Sequence, residues 1–211
     1  MDSLPVIVAV ASSAGDLEAV CELLSALPAD CGAALIIVQH RDSDRERLLE
    51  ALSQRTILPV ICAHDGVLAE PDHVYVMSTS TTLTVSGGRI RVTPKTGGSH
   101  HPGDILFTSL AEDRGDRAIG VVLSGEGSDG ALGIQAIKRG GGSTLAQSPG
   151  CARFPSMPIN AIETGCVRFV LRPNEIAREL VRLSGVSHAN LGTITSSGPE
   201  WASEHFKSVA H

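Results

Sequence analysis

The chain has 211 residues, 42% of them hydrophobic and 19% charged, which excludes wholesale disorder and fits one folded domain. A formal net charge of −6 and only 3% aromatic residues lack the basic footprint and stacking rings of nucleic-acid binders. The five cysteines are odd in number and have no CxxC spacing, as expected for reduced thiols in a cytosolic protein.

The amino terminus, MDSLPVIVAVA, predicts neither a signal peptide nor a membrane anchor. Its second residue is acidic and its apolar run is short, unlike the basic start and longer apolar region of a secretory signal. No apolar segment approaches the ~20 residues that cross a bilayer. We therefore expect a cytoplasmic protein with no membrane insertion.

Strand and helix patterns alternate at the start of the chain, and the middle changes character. Val6–Val10 and Ala34–Val38 are typical of strands buried on both faces, and helical spacing begins at Leu17 and at Arg45. Short strands follow, with the turn Ser86-Gly87-Gly88 between the last two, at Val74–Met77, Thr82–Val85 and Arg89–Thr93. This pattern predicts a small antiparallel hairpin insertion near 60–95.

The alternation of strands and helices resumes in the carboxyl half. The predicted strands are Ala118–Leu123, Thr144–Gln147 and Cys166–Leu171, and the predicted helices are Asp104–Glu112, Leu132–Lys138, Ile159–Glu163 and Glu175–Leu183. The whole pattern predicts a doubly wound α/β fold, with a mostly parallel sheet and helices on both faces. We expect one domain over 1–186 and a polar, mobile tail over 187–211.

Three residues with catalytic chemistry follow apolar runs that are predicted to be strands. They are Ser13, His40 and Asp129. A serine, a histidine and an aspartate are the parts of a nucleophilic hydrolase. An open α/β sheet places its active site beyond the carboxyl ends of its strands, where all three are predicted to lie.

Each of these residues also has a more ordinary interpretation. Small neighbours leave the Ser13 hydroxyl open to an approaching carbonyl, but a serine at this turn also fits a helix N-cap. His40 can be a general base or a surface histidine, and the pair His100-His101 in a glycine-rich loop is an alternative base. The HxHxD and HExxH spacings are both absent from the sequence, so we predict no metal site.

The turn that carries Asp129 also fits the GxGxxG pattern of dinucleotide sites, from Gly125 to Gly130. The next predicted strand, Thr144–Gln147, ends without the acidic residue that would hold a ribose. The carboxylates of Glu126 and Asp129 would also repel a pyrophosphate. A nucleotide-binding protein stays an alternative, although a carboxylate here is better suited to orient an imidazole.

Several long segments, in order, resemble the catalytic domain of the chemotaxis receptor methylesterases, the CheB family. The matching segments are SAGDLEAV, LPADCGAALIIVQH, EPDHVYV, SLAEDRGDRAIGVVLSGEGSDGALGIQAIKRGG, TLAQ and MPINAIETGCV. The resemblance covers roughly residues 5–185 and is closest to versions fused to methyltransferase and sensor modules.

The resemblance implies hydrolysis of glutamate γ-methyl esters on the cytoplasmic helices of methylated chemoreceptors, with release of methanol and, in many members, deamidation of glutamines. It implies that Ser13 is the nucleophile, His40 the general base and Asp129 the residue that orients the histidine. Backbone N–H groups at Ala14 and Glu126 are the candidates for stabilising the oxyanion. No metal or cofactor is implied.

The sequence departs from the family pattern close to these residues. Asp16 and Glu126 add negative charge, Ala11 replaces a glycine, and Gln147-Ser148 replaces a Gln-Asp turn. A catalytically weak or inactive module that binds a receptor or a sensor kinase therefore stays an alternative. The chain begins at the first catalytic strand, so we expect either a fragment of a larger protein or a stand-alone form. The stand-alone form would be constitutively accessible or controlled in trans, by a sensor kinase or a receiver protein.

Overall fold

A computed structural model of the chain describes residues 5–13, 17–40, 45–76, 81–94 and 101–185. The expected tail lies outside these ranges. The strands are β1 (Val6–Ser13), β2 (Ala33–His40), β3 (Val60–Cys62), β4 (Val74–Val76), β5 (Thr81–Ser86), β6 (Arg89–Pro94), β7 (Ala118–Val122), β8 (Ser143–Gln147) and β9 (Phe169–Leu171). The helices are α1 (Leu17–Ser25), α2 (Arg45–Ser53), α3 (Pro102–Arg114), α4 (Ala131–Arg139), α5 (Ser156–Glu163) and α6 (Pro173–Ser184).

Seven strands form one parallel sheet in the order β3-β4-β2-β1-β7-β8-β9. The sheet grows outward from β1 through β2, and the chain then returns to place β7 on the other side of β1. Ligands of open α/β sheets bind where the direction of winding reverses, just beyond the strand ends. The junction of β1 with β7 is such a position.

Helices cover both faces of the sheet, as predicted. On one face, α1, α2 and α6 pack over β1 residues such as Val8 and Val10. On the other face, α3, α4, α5 and the β5–β6 hairpin pack over Ile7 and Ala9. Because β1 is buried on both faces along its whole length, it has to be apolar almost to its end.

The predicted fold class is confirmed, with one change in extent. The antiparallel hairpin occupies only β5 and β6, with the turn Ser86-Gly87-Gly88 joining them as predicted. The insertion is narrower than 60–95 because β3 and β4 pair in parallel with each other, and β4 pairs with β2. Within the described ranges, no helix is both long and apolar enough to cross a membrane.

Candidate active site

The three central strands bring the predicted catalytic positions to one edge of the sheet. Ser13 is the last residue of β1, and its register partner is His40, the last residue of β2. Asp129 lies in the turn that follows β7, the other neighbour of β1. The side chain of His40 lies outside the described part of the structure, as does Ala14.

Ser13 shares a face of β1 with Ala11, because side chains alternate along a strand. The residue is 7% exposed, and its backbone N–H donates to the carbonyl oxygen of Ser124 at 3.3 Å. A Cβ on Gly125 would lie 2.8 Å from Ser13 Cβ and would also collide with Met157 Sδ. Only glycine at position 125 therefore lets the turn after β7 approach the end of β1.

Asp129 is 5% exposed and is held by the N-terminus of α3. Its Oδ2 accepts from the backbone N–H of Gly103, and its Oδ1 accepts from that of Asp104, both at 3.0 Å. Hydrogen bonds to an ionised acceptor are stronger than neutral ones, and a helix N-terminus favours negative charge. These two hydrogen bonds fix the carboxylate in place. Gly103 lies against both the Asp129 carboxylate and Ala11, because a Cβ on Gly103 would contact both side chains.

A second histidine lies beside the same carboxylate. His101 precedes α3, and its Nδ1 lies 4.0 Å from Asp129 Oδ1. His101 belongs to the alternative pair from the sequence, whereas His100 lies outside the described residues. The structure therefore brings one member of that pair to the edge of the sheet that carries Ser13.

Asp104 completes a cluster of titratable groups around Asp129. Ligand atoms of His101, Asp104 and Asp129 lie within 4.8 Å of one another, so this trio could offer three ligands to a metal ion. However, Asp104 Oδ1 also accepts from the backbone N–H of Gly133 in α4 at 2.8 Å. Helix amides from α3 and α4 thus already engage both carboxylates, which favours a role in joining the two helices. Burial, ahead of the nearby Asp129 charge, raises the pKa of Asp104.

The turn between β7 and α4 is fastened to α5. The N–H of Met157 donates to the carbonyl of Gly125 at 2.9 Å, and Ser156 Oγ accepts from the N–H of Gly127 at 3.1 Å. Asn160 Nδ2 donates to the Gly127 carbonyl at 2.8 Å, and the Glu126 side chain is exposed. A GxGxxG loop fastened in this way, with a carboxylate inside it, does not resemble a cradle for phosphates.

Sequence reasoning missed the residues that position this turn. Gln147 is 2% exposed, and its Oε1 accepts from the backbone N–H of Ser124 at 2.8 Å. Gly103, Ser156 and Asn160 also hold the turn or its carboxylate, through the contacts given above. Gln147 was predicted only as the end of a strand, and the other three lie in segments rich in glycine, proline and polar residues. That signal does not say which atoms they contact.

Comparison with known proteins agrees with this architecture. The family model described as CheB methylesterase matches residues 8–180. A protein-glutamate methylesterase/protein-glutamine glutaminase of Paramagnetospirillum magneticum is 32% identical over 185 residues, 86% of this chain and 52% of the relative. A protein of the same name in Myxococcus xanthus is 39% identical over 156 residues, 73% of this chain and 44% of the relative.

The fold is also similar to a solved structure. The crystal structure of the Thermotoga maritima CheB methylesterase catalytic domain aligns with a TM-score of 0.77 and 26% identity, covering 85% of this chain and 98% of that one. By contrast, the chain spans about half the length of the curated relatives it matches. The family model covers most of the chain, and this chain therefore belongs to the CheB methylesterase family.

Proposed function

We propose that this protein hydrolyses glutamate γ-methyl esters on chemoreceptors or related sensory proteins, with Ser13 as nucleophile. The observation that carries the proposal is the register pairing of Ser13 with His40, next to the turn that bears Asp129. A nucleophile, a general base and an orienting carboxylate at the ends of three adjacent strands are the groups that a serine hydrolase uses for acyl transfer. Glutamine deamidation would use the same groups, with ammonia as the leaving group.

The proposed reaction has two halves. His40 removes the proton of Ser13 Oγ, which attacks the ester carbonyl, and the same proton then leaves with methanol. His40 then takes a proton from water, which attacks the acyl-enzyme, and returns it to Ser13 Oγ as the glutamate side chain is released. Asp129 orients the imidazole and stabilises its charged form.

Negative charge that develops on the carbonyl oxygen requires hydrogen-bond donors. We propose the backbone N–H groups of Ala14 and Glu126 for this role. The negative charge of Glu126 would repel the negative charge that develops on the carbonyl oxygen. The Glu126 side chain is exposed, however, so water and salt weaken this repulsion. The exposed Glu126 carboxylate should therefore slow the reaction less than a buried carboxylate would.

Further parts of the proposal concern the whole chain. Residues 1–186 would form the catalytic domain, which is supported by the family match over 8–180, and 187–211 would be a tail. The partners would be methylated receptor helices and, for control, a sensor kinase or a receiver protein in trans. The site of action would be the cytoplasm.

The test is methanol release from a methylated chemoreceptor cytoplasmic domain, compared between the wild type and Ser13→Ala. Removing a triad nucleophile lowers the rate by about 10⁴–10⁶-fold. Ser12→Ala is the matched control, because Ser12 is 1% exposed and its Oγ has no hydrogen-bond partner among the described residues. If the wild type binds the receptor but releases no methanol, the chain is an inactive binding module and the proposal is wrong.

A further inference from the structure

A side chain replaces the backbone where strands β7 and β8 separate beside the candidate site. The register pairing of the two strands ends at Val122 and Ala146. Just beyond that pair, the backbone N–H of Ser124 donates to the side chain of Gln147, the last residue of β8, with Oε1 at 2.8 Å. The Gln147 amide therefore continues the contact between the strands after their backbone ladder has ended.

Both ends of this amide are hydrogen-bonded to backbone groups. Its Oε1 accepts from Ser124, and its Nε2 donates to the carbonyl oxygen of Cys151 at 3.2 Å. The orientation of the amide is unambiguous, because a backbone N–H only donates and a carbonyl oxygen only accepts. Gln147 is 2% exposed, so removal of the amide would leave two buried polar groups without these partners. Gln147 thus joins the turn after β7 to the segment after β8.

The segment that Gln147 holds lies directly against the nucleophile. The carbonyl oxygen of Ser124 accepts from the backbone N–H of Ser13 at 3.3 Å. The next residue, Gly125, approaches so closely that a Cβ on it would lie 2.8 Å from Ser13 Cβ. Ser124 Oγ also accepts from the N–H of Phe154 at 2.9 Å. A shift of Ser124 would therefore be transmitted to Ser13.

We infer that Gln147 is a positioning residue for the nucleophile, which acts on Ser13 through the backbone of Ser124. This inference rests on the proposed function, in which Ser13 attacks the ester. Glu126, whose N–H is proposed as an oxyanion donor, follows Ser124 by only two residues. The same buried amide therefore holds the segment that carries this donor and contacts the attacking serine. Groups that react must be supported by such surrounding hydrogen bonds to keep their geometry.

The position of Gln147 separates an effect on the reaction from an effect on binding. Its side chain is buried and its contacts are with backbone groups, so an ester over Ser13 would not touch it. Loss of the amide should therefore slow the chemical step and leave the affinity for the ester unchanged. A misplacement of about 1 Å at reacting groups can lower a rate by about 10²-fold.

The test is Gln147→Met, which keeps a side chain of similar length and removes both hydrogen bonds. The substrate is an N-acetylated, C-amidated glutamate γ-methyl ester, which avoids any contact away from the site. We expect kcat for this ester to fall by about 10²-fold with KM unchanged. The rate at which a sulfonyl fluoride labels Ser13 should fall with kcat. Both are measured at a temperature where thermal unfolding shows that the variant is folded.

Thr144→Val is the matched control, because it removes an equivalent pair of hydrogen bonds from the other end of β8. Thr144 is fully buried, and its Oγ1 donates to the carbonyl oxygen of Cys166 at 2.6 Å and accepts from the N–H of Arg168 at 3.0 Å. This variant should lose stability but keep the wild-type kcat and the wild-type labelling rate of Ser13. A general loss of stability is thereby distinguished from misplacement of the nucleophile.

Gln147→Asn is a second variant that keeps the site polar but has an amide one methylene too short to hold Ser124 directly. It should lower kcat and labelling in the same direction as Gln147→Met. Wild-type kcat and labelling in the folded Gln147 variants would overturn the inference, and so would an equal fall in Thr144→Val. A wild type that neither hydrolyses the ester nor labels at Ser13 would instead contradict the proposed function.

Discussion

At the scale of single residues, Asp129 is oriented by two backbone amides at the start of α3. Backbone amides of Gly103 and Asp104 hold its two oxygens, so the carboxylate is in place before any substrate binds. A catalytic group held by a rigid element is more accurately positioned than one held by a mobile side chain. The proposed imidazole partner would therefore meet a carboxylate that needs no rearrangement.

Asp129→Asn should lower methanol release by about 10⁴-fold, because an amide favours the wrong tautomer of the histidine. The amide oxygen can still accept one hydrogen bond from α3, so we expect the variant to fold, which thermal unfolding would verify. Asp116→Asn is the control, since Asp116 is exposed in the turn after α3. Methanol release within threefold of the wild type in Asp129→Asn would refute the role given to this carboxylate.

The raised pKa of Asp104 predicts how the stability of the protein depends on pH. Burial and the Asp129 charge raise its pKa above the ordinary 3.8, so the folded chain binds this proton more tightly than the unfolded chain. The folded chain therefore loses stability as pH rises from the ordinary pKa of 3.8 to the higher folded-state pKa. Below pH 3.8 Asp104 is protonated in both states, so this loss is absent. The free energy of unfolding of Asp104→Asn, minus that of the wild type, should increase from about pH 4 to pH 7. Urea unfolding measures this difference, and a decrease would show that the assigned sign is wrong.

At the scale of elements, the site depends on how closely α3 approaches β1. A Cβ on Gly103 would lie 2.8 Å from Ala11 Cβ and 3.0 Å from Asp129 Oδ1. Gly133 plays the same part between α4 and α3, where a Cβ would lie 2.5 Å from Phe107 Cβ. Because Gly103 and Gly133 have no side chains, α3 and α4 can approach closely enough to position the Asp129 carboxylate.

Gly103→Ala should therefore damage both stability and catalysis. Overpacking of this kind costs about 1–3 kcal/mol, and relief of the clash would displace the Asp129 carboxylate. Gly150→Ala is the control, because its nearest neighbour would be Ser148 Oγ at 3.9 Å, an ordinary contact. Urea unfolding and methanol release together measure the effect. An active, equally stable Gly103→Ala would mean that the close approach is unimportant.

The sequence predicted most elements because buried strands are continuous apolar runs and helices such as α4 and α6 are amphipathic. The strand over Val6–Val10 extends to Ser13, since its polar final residues do not look like a buried strand. The three-residue strand β3 was missed, because it is short, half-buried and at the sheet edge. The strand predicted over Cys166–Leu171 is shorter, starting at Phe169. These errors fall where local pattern is weakest.

At the scale of the whole molecule, the order of the strands in the sheet brings the candidate site residues together. The positions of Ser13 and His40 were predictable as strand ends, but their adjacency depends on the pairing of β1 with β2. The contacts of Gly103 and Gln147 join segments far apart in the chain and have no local signature. The candidate residues could therefore be predicted from the family resemblance, and the scaffold that positions them could not.

The proposed domain boundary after residue 186 leads to a prediction about thermal stability. Helix α6 ends at Ser184, and the next residue, Gly185, has a φ of 78°, the left-handed conformation that terminates helices. The α6 residues Ile176 and Leu180 are buried. A chain that ends after Val186 should unfold within about 2–4 °C of the full chain, the shift that 1 kcal/mol would cause. Calorimetry of both chains measures this, and a larger loss would show that 187–211 contribute to the fold.

The most direct test of the central claim, an activated Ser13, is covalent labelling by a sulfonyl fluoride, read by mass spectrometry. A serine becomes nucleophilic when a histidine can take its proton, so labelling needs no knowledge of the receptor. We predict one adduct per chain, on Ser13, undiminished in Ser12→Ala and lost in His40→Ala. An unlabelled Ser13 in the folded wild type, or labelling that persists in His40→Ala, would contradict the account.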